Sequence, residues 1–254
     1  MPVYDEQPVS FELDLIQPDW PAPQSIVACS TTRSGGVSGA GFKSLNLATH
    51  VNDNAQQVAI NRQRLVDYLK LPSEPQWLQQ THSIKVVDLD TESLRDGDAA
   101  LTSIAGKVAV VLTADCLPVL FCNRQGSEVA AAHAGWKGLL NGVLEQTVIK
   151  MNSPAEHIMA WMGPAIGATQ FEVGSEVRDA FIQHEEEVES CFKESRQGHY
   201  LADLYAIAKL RLKKQGITSI YGGEFCTFTE KQRFFSYRRE KITGRQASLI
   251  YIKK

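Results

Sequence analysis

The chain has 254 residues, of which 43% are hydrophobic and 22% are charged, a composition typical of a globular protein with a sizeable core. Its net charge is −3, and lysine and arginine are spread along the sequence. Such a chain has no general electrostatic attraction to nucleic acid or to anionic lipid, so we expect neither as a partner.

The N-terminal segment and the cysteines indicate the cellular compartment. Residues 1–20 contain five acidic side chains and no apolar stretch of signal or membrane-spanning length. The five cysteines are odd in number and include no CxxC pair, which argues against a disulfide framework. The sequence therefore predicts a cytoplasmic protein with reduced thiols.

The first quarter of the chain predicts two strands, a loop and a helix. The strands cover residues 11–16 and 25–32. A long Gly-rich and Ser-rich loop follows over 33–44. Asp53 or Asn54 can cap a helix that ends near Lys70, before Leu71-Pro72.

Strands dominate the middle of the chain. Apolar runs predict five of them, over residues 76–80, 85–89, 107–114, 119–123 and 128–134. The segment Arg124-Gln125-Gly126 is a typical hairpin turn between the last two.

The rest of the chain alternates helices and strands. Helices are predicted over residues 137–151, 173–184 and 201–215, and strands over 157–162, 219–227, 234–237 and 247–252. No linker or repeat divides the sequence, so residues 1–254 are expected to form a single α+β domain with helices covering mixed sheets.

Two histidines and one cysteine lie near the ends of predicted strands, where they can meet in one site. They are His82, Cys116 and His133, and the last is followed by Ala134-Gly135, whose small side chains allow close approach of a metal. Two imidazoles and one thiolate form a three-ligand zinc site with an open fourth position. A water in that position has a pKa lowered to about 7, so we expect a metalloenzyme. The spacing of the three matches no short zinc motif.

The same three residues are compatible with other chemistry. Cys116 and a histidine could act as a nucleophile pair that attacks a carbonyl, and two histidines with one cysteine could also hold copper, usually with an axial methionine. A binding module without catalysis is a further alternative.

A second set of residues is suited to phosphate. In the segment Arg33-Ser34-Gly35-Gly36, Gly35 and Gly36 allow consecutive N–H groups to converge on an anion, and Arg33 adds a guanidinium. Arg62 in the first helix is another candidate, and His50 is an additional imidazole.

Four segments together resemble the YfiH family, also called laccase-domain proteins. The segments are TADCLPVLF, AAHAGWKG, MGPAIG with FEVG, and FFSYRR with TGR, and the match runs from about Ser30 to Ile252. The resemblance implies a zinc-dependent purine nucleoside phosphorylase acting on adenosine, inosine and methylthioadenosine, with adenosine deaminase activity. Family members are also described as copper polyphenol oxidases, and some are linked to editing of peptidoglycan precursors.

The resemblance also implies a site, a fold and partners. By motif, the family's metal ligands fall on His82, Cys116 and His133. The implied fold is a four-layer α/β/β/α sandwich similar to the catalytic domain of cytotoxic necrotizing factor toxins. The implied partners are purine nucleosides and phosphate, in a monomer or homodimer. The chain lacks the HxE and PCxxC arrangement of classical nucleoside deaminases, and its six histidines are few for a multicopper cluster.

Overall fold

A computed structural model describes residues 11–254; the predictions for residues 1–10 lie outside the described part. The strands are β1 Leu15–Ile16, β2 Ile26–Thr31, β3 Val86–Asp88, β4 Ala99–Thr102, β5 Val108–Thr113, β6 Leu117–Asn123, β7 Val129–Ala134, β8 Ile158–Met162, β9 Glu172–Gly174, β10 Phe192–Arg196, β11 His199–Ala202, β12 Ser219–Gly222 and β13 Gln246–Ile252. The helices are α1 Ala55–Leu69, α2 Trp136–Asn141, α3 Val143–Lys150, α4 Ser175–His184, α5 Leu204–Lys214 and α6 Tyr237–Glu240. In the part described, no helix is long and apolar enough to cross a membrane.

The strands form three sheets in a mixed α/β fold. The four-stranded sheet has the order β1-β2-β13-β5 and is antiparallel throughout. The six-stranded sheet has the order β12-β8-β6-β7-β4-β3, with parallel pairs at its two edges. A small antiparallel sheet has the order β10-β11-β9.

Three clusters of buried side chains hold these elements together. One joins the two large sheets, with Val111 and Ile250 from the first and Leu120 and Trp161 from the second. A second packs the other face of the six-stranded sheet against α3, α4 and α5. A third packs α1 through Leu65 onto the four-stranded sheet. The four-layer sandwich, the toxin likeness and the single domain over 1–254 stay predictions.

Several predicted elements are found where the sequence places them. Strands β2, β5, β6, β7, β8 and β13 lie within their predicted ranges or differ from them by one or two residues. Helix α1 begins after Asn54, whose side-chain oxygen accepts hydrogen bonds from the N–H groups of Gln56 and Gln57. This bonding satisfies two N–H groups that a helix start leaves unpaired.

The strand predicted over residues 76–80 is wrong. Only isolated bridges occur there, from Gln76 to Ala109 and from Gln79 to Asp96. The side chain of Gln80 instead bonds to both backbone groups of Leu112, at 2.8 Å each. A side chain thus replaces the backbone ladder along this segment.

Other differences arise where short or local signals decide the structure. The helix predicted over 137–151 is divided into α2 and α3 at Gly142, which has a φ of 102°. The segment 234–237 is not a strand, because Ser236 caps α6 by accepting a hydrogen bond from the Arg239 N–H. The strand predicted over 11–16 is reduced to β1. The predicted helices 173–184 and 201–215 begin later, as α4 and α5, because the short strands β9 and β11 occupy their first residues. The strand predicted over 219–227 ends at Gly222, as β12. Strands β4, β9, β10 and β11 were not predicted.

Candidate metal centre

The three predicted ligands converge at one end of the six-stranded sheet. Cys116 immediately precedes β6, and His133 lies in the adjacent strand β7, where it pairs with Pro118. His82 comes from the loop before β3 and has a φ of 62°, a left-handed conformation that is uncommon for a non-glycine residue. Neighbouring strands therefore supply two of the ligands and a loop supplies the third.

The three ligand atoms lie close enough together to share one metal ion. The ligand atoms of the three side chains all lie within 4.8 Å of one another, and Cys116 Sγ is 3.8 Å from His82 Nε2. A tetrahedral zinc with ordinary bond lengths places its sulfur and nitrogen ligands about 3.6 Å apart. The donor set and this sulfur–nitrogen distance therefore suit one zinc ion with a fourth position open.

Asp98, which no sequence pattern singles out, organises this centre. Its buried carboxylate lies 2.8 Å from His133 Nδ1, which leaves Nε2 of that ring for a metal. The same carboxylate accepts hydrogen bonds from the N–H groups of Thr81, His82 and Ser83 and from the Ser83 hydroxyl. One side chain thus orients one ligand and fixes the loop that carries another.

Asp115 holds Cys116 in a comparable way. It has a φ of 87°, and its carboxylate accepts hydrogen bonds from the Thr227 hydroxyl and the Arg238 N–H, both at 2.7 Å. Its backbone carbonyl accepts a third from the Ile166 N–H. These contacts stabilise a strained backbone conformation next to the thiol.

Gly135 leaves the space that the ligands occupy. A Cβ atom at this position would lie 2.7 Å from His82 Cδ2 and 3.0 Å from Cys116 Sγ. Both distances are shorter than van der Waals contact, so the absent side chain allows the imidazole and the sulfur to approach each other.

Charge interactions favour an ionised Cys116. Burial opposes ionisation, but the charge and hydrogen bond of His133, with a contribution from His82, lower the pKa of the Cys116 thiol. Burial likewise opposes the charged form of His133, but the thiolate and Asp98 raise the pKa of His133. A thiolate is the form that binds a metal.

A cavity of about 370 Å³, here called the metal cavity, opens beside the three candidate ligands. Its other walls include His50, Thr113, Tyr237 and Arg245. Two further cavities adjoin it, and His50 lies on the wall of all three. Burial, followed by the charges of Arg245 and Arg62, lowers the pKa of His50.

The structure does not bring Arg33 to the metal cavity. Arg33 lies on a separate cavity of about 520 Å³, and its guanidinium donates hydrogen bonds to the carbonyls of Lys43 and Lys231 and to Glu240. The N–H of Gly36 donates to the Ser44 hydroxyl. Nε and one terminal nitrogen of Arg33, together with the Gly36 N–H, are therefore already bonded to other parts of the chain.

Close packing explains why Gly35 and Gly36 of this loop carry no side chain. A Cβ atom at Gly35 would lie 2.5 Å from the Glu12 carbonyl oxygen, and one at Gly36 would lie 2.1 Å from the Ser44 carbonyl oxygen.

Arg62 is closer than Arg33 to the three candidate metal ligands, since it lines a cavity shared with His50 and Gln80. Its guanidinium stacks on Trp77 at 4.0 Å, and its Nε–H donates to the Leu47 carbonyl.

Comparison with known proteins identifies the class. A family model described as "Multi-copper polyphenol oxidoreductase laccase" matches residues 27–253. The chain belongs to this laccase-like family, as its motifs predict.

Two similar bacterial proteins carry the name purine nucleoside phosphorylase. "Purine nucleoside phosphorylase YfiH" of Escherichia coli is 50% identical over 240 residues, covering 94% of this chain and 98% of that protein. A purine nucleoside phosphorylase of Pseudomonas aeruginosa is 49% identical over 238 residues, covering 93% and 98%.

Solved structures agree on the fold. A Neisseria meningitidis protein matches with a TM-score of 0.91 and 46% identity, covering 94% of this chain and 99% of its own. YlmD from Geobacillus stearothermophilus matches with a TM-score of 0.86 and 28% identity, covering 96% and 99%.

Proposed function

We propose that the protein is a zinc-dependent purine nucleoside phosphorylase that acts on adenosine, inosine and methylthioadenosine and also deaminates adenosine. The observation that carries the proposal is the His82, Cys116 and His133 cluster at a cavity of about 370 Å³, a volume within the range of small-molecule sites. The names of the relatives supply the substrate class.

Phosphorolysis requires that the cavity bind a phosphate next to the ribose of the nucleoside. A phosphate oxygen attacks the anomeric carbon of the ribose, the bond from that carbon to the purine nitrogen breaks, and its electron pair leaves with the purine. The purine nitrogen takes up the proton that the phosphate hydroxyl loses, so the products are a sugar 1-phosphate and the free base. The site must therefore hold the phosphate and the ribose together in the correct orientation.

The metal and the side chains have separate parts in this scheme. When bound, zinc supplies a Lewis acid and lowers the pKa of a bound water. His82, Cys116 and His133 hold the metal, and Asp98 keeps His133 in the tautomer that exposes Nε2. The Tyr237 ring, which is half exposed on the cavity wall, offers an aromatic face to a purine.

Zinc is a better fit than copper. In the described residues a single cluster of three or more His, Cys, Asp or Glu side chains is suited to a metal, whereas a multicopper oxidase needs several such groups of ligands. Among residues 11–254, no methionine lines the cavity to act as an axial copper ligand. We therefore propose one zinc per chain.

The test measures metal content and base release together. Protein purified without chelator should contain about one zinc, and it should release adenine from adenosine in a reaction that requires inorganic phosphate. Inosine formation in phosphate-free buffer reports the deaminase activity. Zinc-loaded protein that releases no base at any phosphate concentration would contradict the proposal.

A second candidate, a Cys-His hydrolase acting on peptidoglycan precursors, has one observation in its favour. Without metal, Asp98, His133 and Cys116 form the order of carboxylate, imidazole and thiol that nucleophilic cysteine enzymes use. Zinc bound to the sulfur would suppress its nucleophilic attack.

Alkylation separates the two candidates. Iodoacetamide should modify Cys116 rapidly after zinc is removed and slowly when zinc is bound. Cys29 and Cys122 serve as internal controls, because burial raises the pKa of each thiol to about 12. A substrate-derived adduct on Cys116 in acid-quenched turnover samples would favour the hydrolase.

A further inference from the structure

Thr113 carries a polar group that the folded chain leaves without a partner. It is the last residue of β5, its side chain is 1% exposed, and its hydroxyl has no hydrogen bond. Within residues 11–254 it is the only buried hydroxyl in this condition. Buried hydroxyls are normally hydrogen-bonded, and Thr113 lines the metal cavity, so a ligand in that cavity would supply the missing partner.

The hydroxyls on the strands paired with this region do have partners. Ser30 and Ser248 bond to each other at 2.5 Å, and the Thr31 hydroxyl accepts a hydrogen bond from the Ala247 N–H. The unpaired state of Thr113 is therefore particular to the wall of the cavity and is not a general property of the sheet.

Arg245 brings a positive charge to the same cavity. It directly precedes β13, whose first residue Gln246 pairs with Thr113. The backbone N–H of Arg245 donates to Asn46, and one terminal nitrogen of its guanidinium donates to the carbonyls of Thr243 and Gly244, each at 3.0 Å. The side chain is thus held in place from one side.

The rest of the guanidinium is available to a ligand. In the described part of the chain, the Nε–H and the second terminal nitrogen of Arg245 donate no hydrogen bond, and no carboxylate forms an ion pair with it. None of the described residues that line the cavity is an aspartate or a glutamate. Asp115 is near enough to act on the charge of Arg245, but Thr227 and Arg238 already bond its two oxygens.

We propose that Arg245 and Thr113 form an oxyanion subsite in the metal cavity that binds inorganic phosphate. A guanidinium with two free donors matches two phosphate oxygens, and the hydroxyl bonds a third. His50 lies on the wall of the same cavity. The identity of phosphate as co-substrate rests on the proposed function; the subsite itself rests on the unpaired groups of Thr113 and Arg245.

Two substitutions test the subsite. Arg245→Gln removes the charge, and Thr113→Val removes the hydroxyl while keeping the volume of the side chain. Each should raise the KM for phosphate roughly 10- to 100-fold, the range for a lost hydrogen bond to a charged group, with a smaller change in kcat. Thr113→Ser should restore most of the affinity, because it restores the hydroxyl. Arg124→Gln, an exposed arginine in the turn between β6 and β7, is the matched control and should leave the KM unchanged.

Folding is monitored separately. Thr113→Val should not lower the Tm, since the hydroxyl makes no bond within the folded chain. Arg245→Lys, which keeps a charge but not the fork of donors, should have an intermediate KM for phosphate. This variant keeps the test meaningful if Arg245→Gln does not fold.

Direct binding distinguishes the subsite from the reaction. Calorimetric titration of the wild-type protein with inorganic phosphate should show binding that Arg245→Gln and Thr113→Val weaken by the same factors. Phosphate binding without base release would leave the subsite standing and reject the phosphorylase. Base release with an unchanged KM for phosphate in both variants would reject the subsite and leave the phosphorylase standing.

Discussion

The metal cavity and the Arg33 loop both offered residues suited to function, but they differ in how many of their polar groups are already bonded. In the loop, the guanidinium of Arg33 and the N–H of Gly36 bond to neighbouring parts of the chain. In the metal cavity, the hydroxyl of Thr113 and two donors of Arg245 have no partner within the described residues. The type of residue suggests a site, but only unpaired donors and acceptors leave it available to a ligand.

The largest effect is expected where a metal ligand is lost. Cys116→Ala removes a thiolate, which contributes both a negative charge and a soft donor atom. Removing one of three ligands should weaken zinc binding on the order of 1,000-fold, given a binding free energy of about 10–16 kcal/mol for well-built zinc sites. Competition with a chelating dye measures the change.

The control for this change is Cys226→Ala. Cys226 is another partly exposed cysteine, and it accepts a hydrogen bond from the Gly167 N–H outside the metal cluster. It should retain zinc as the wild type does. Stoichiometric zinc in Cys116→Ala under competing chelator would show that the cluster is not the metal site.

The next largest effect is expected at Asp98. Asp98→Asn replaces an acceptor-only carboxylate with a group that presents N–H donors to the N–H groups of residues 81–83. Zinc affinity should fall about 10- to 100-fold, as it does when partners of metal ligands are changed. Asp90→Asn is the control, since Asp90 holds a similar turn through Thr102 and Ser103 away from the metal.

Asp98 also predicts a pH dependence for the metal-free protein. Burial opposes its ionised form, but hydrogen bonds from His133 and Ser83 outweigh burial and lower the pKa of Asp98 to about 2. Because this folded-state pKa is below the ordinary value, the stabilisation is present above about pH 4 and is lost as the pH falls toward 2. Urea unfolding at these two pH values should show about 2 kcal/mol lost on this account in the wild type and less in Asp98→Asn.

A smaller loss of metal affinity is expected at Gly135. Gly135→Ala introduces a methyl group 2.7 Å from His82 Cδ2, so the two ligands beside it must separate. The backbone φ of −64° is suitable for alanine, and the effect should therefore come from crowding alone. We expect zinc affinity to fall about tenfold, the scale of overpacking a small site. Gly39→Ala, where no atom lies within 4 Å of the added methyl, should bind zinc normally.

The sequence indicated Cys116 and His133 as candidate ligands because they lie beside or in strands with a strong apolar signal. It indicated His82 through a strand over 76–80 that the structure does not contain. Strand β6, which Cys116 directly precedes, and strand β7, which carries His133, are fully buried apolar runs. Asp98 was missed because its partners lie 15 to 35 residues away along the chain. An acidic residue at the start of the apolar run Ala99–Thr102 was its only local signal.

The missed strands have a similar explanation. β4 has only four residues, of which two are alanine, and its burial comes from pairing with β3 and β7. β10 is largely exposed and lacks apolar alternation, although Gln197-Gly198 before β11 is a typical turn signal. Arg245 lies in the TGR segment that carries the family resemblance, but nothing in the sequence indicates that its donors are unpaired.

Arg33 provides the sharpest test of the comparison, because two expectations differ there. The sequence predicts that Arg33 binds phosphate, so Arg33→Ala would raise the KM for phosphate. The structure instead uses its guanidinium to join Lys43, Lys231 and Glu240, so the substitution should lower the free energy of unfolding by about 1–3 kcal/mol and change the KM less than about twofold.

Measuring the KM for phosphate and urea unfolding on the same preparation of Arg33→Ala decides between these expectations. Arg245→Gln, measured in parallel, should show the opposite pattern, with a raised KM and a smaller change in stability. If Arg33→Ala raises the KM while Arg245→Gln does not, phosphate binds at the loop, and bonded donors there must exchange partners when it binds.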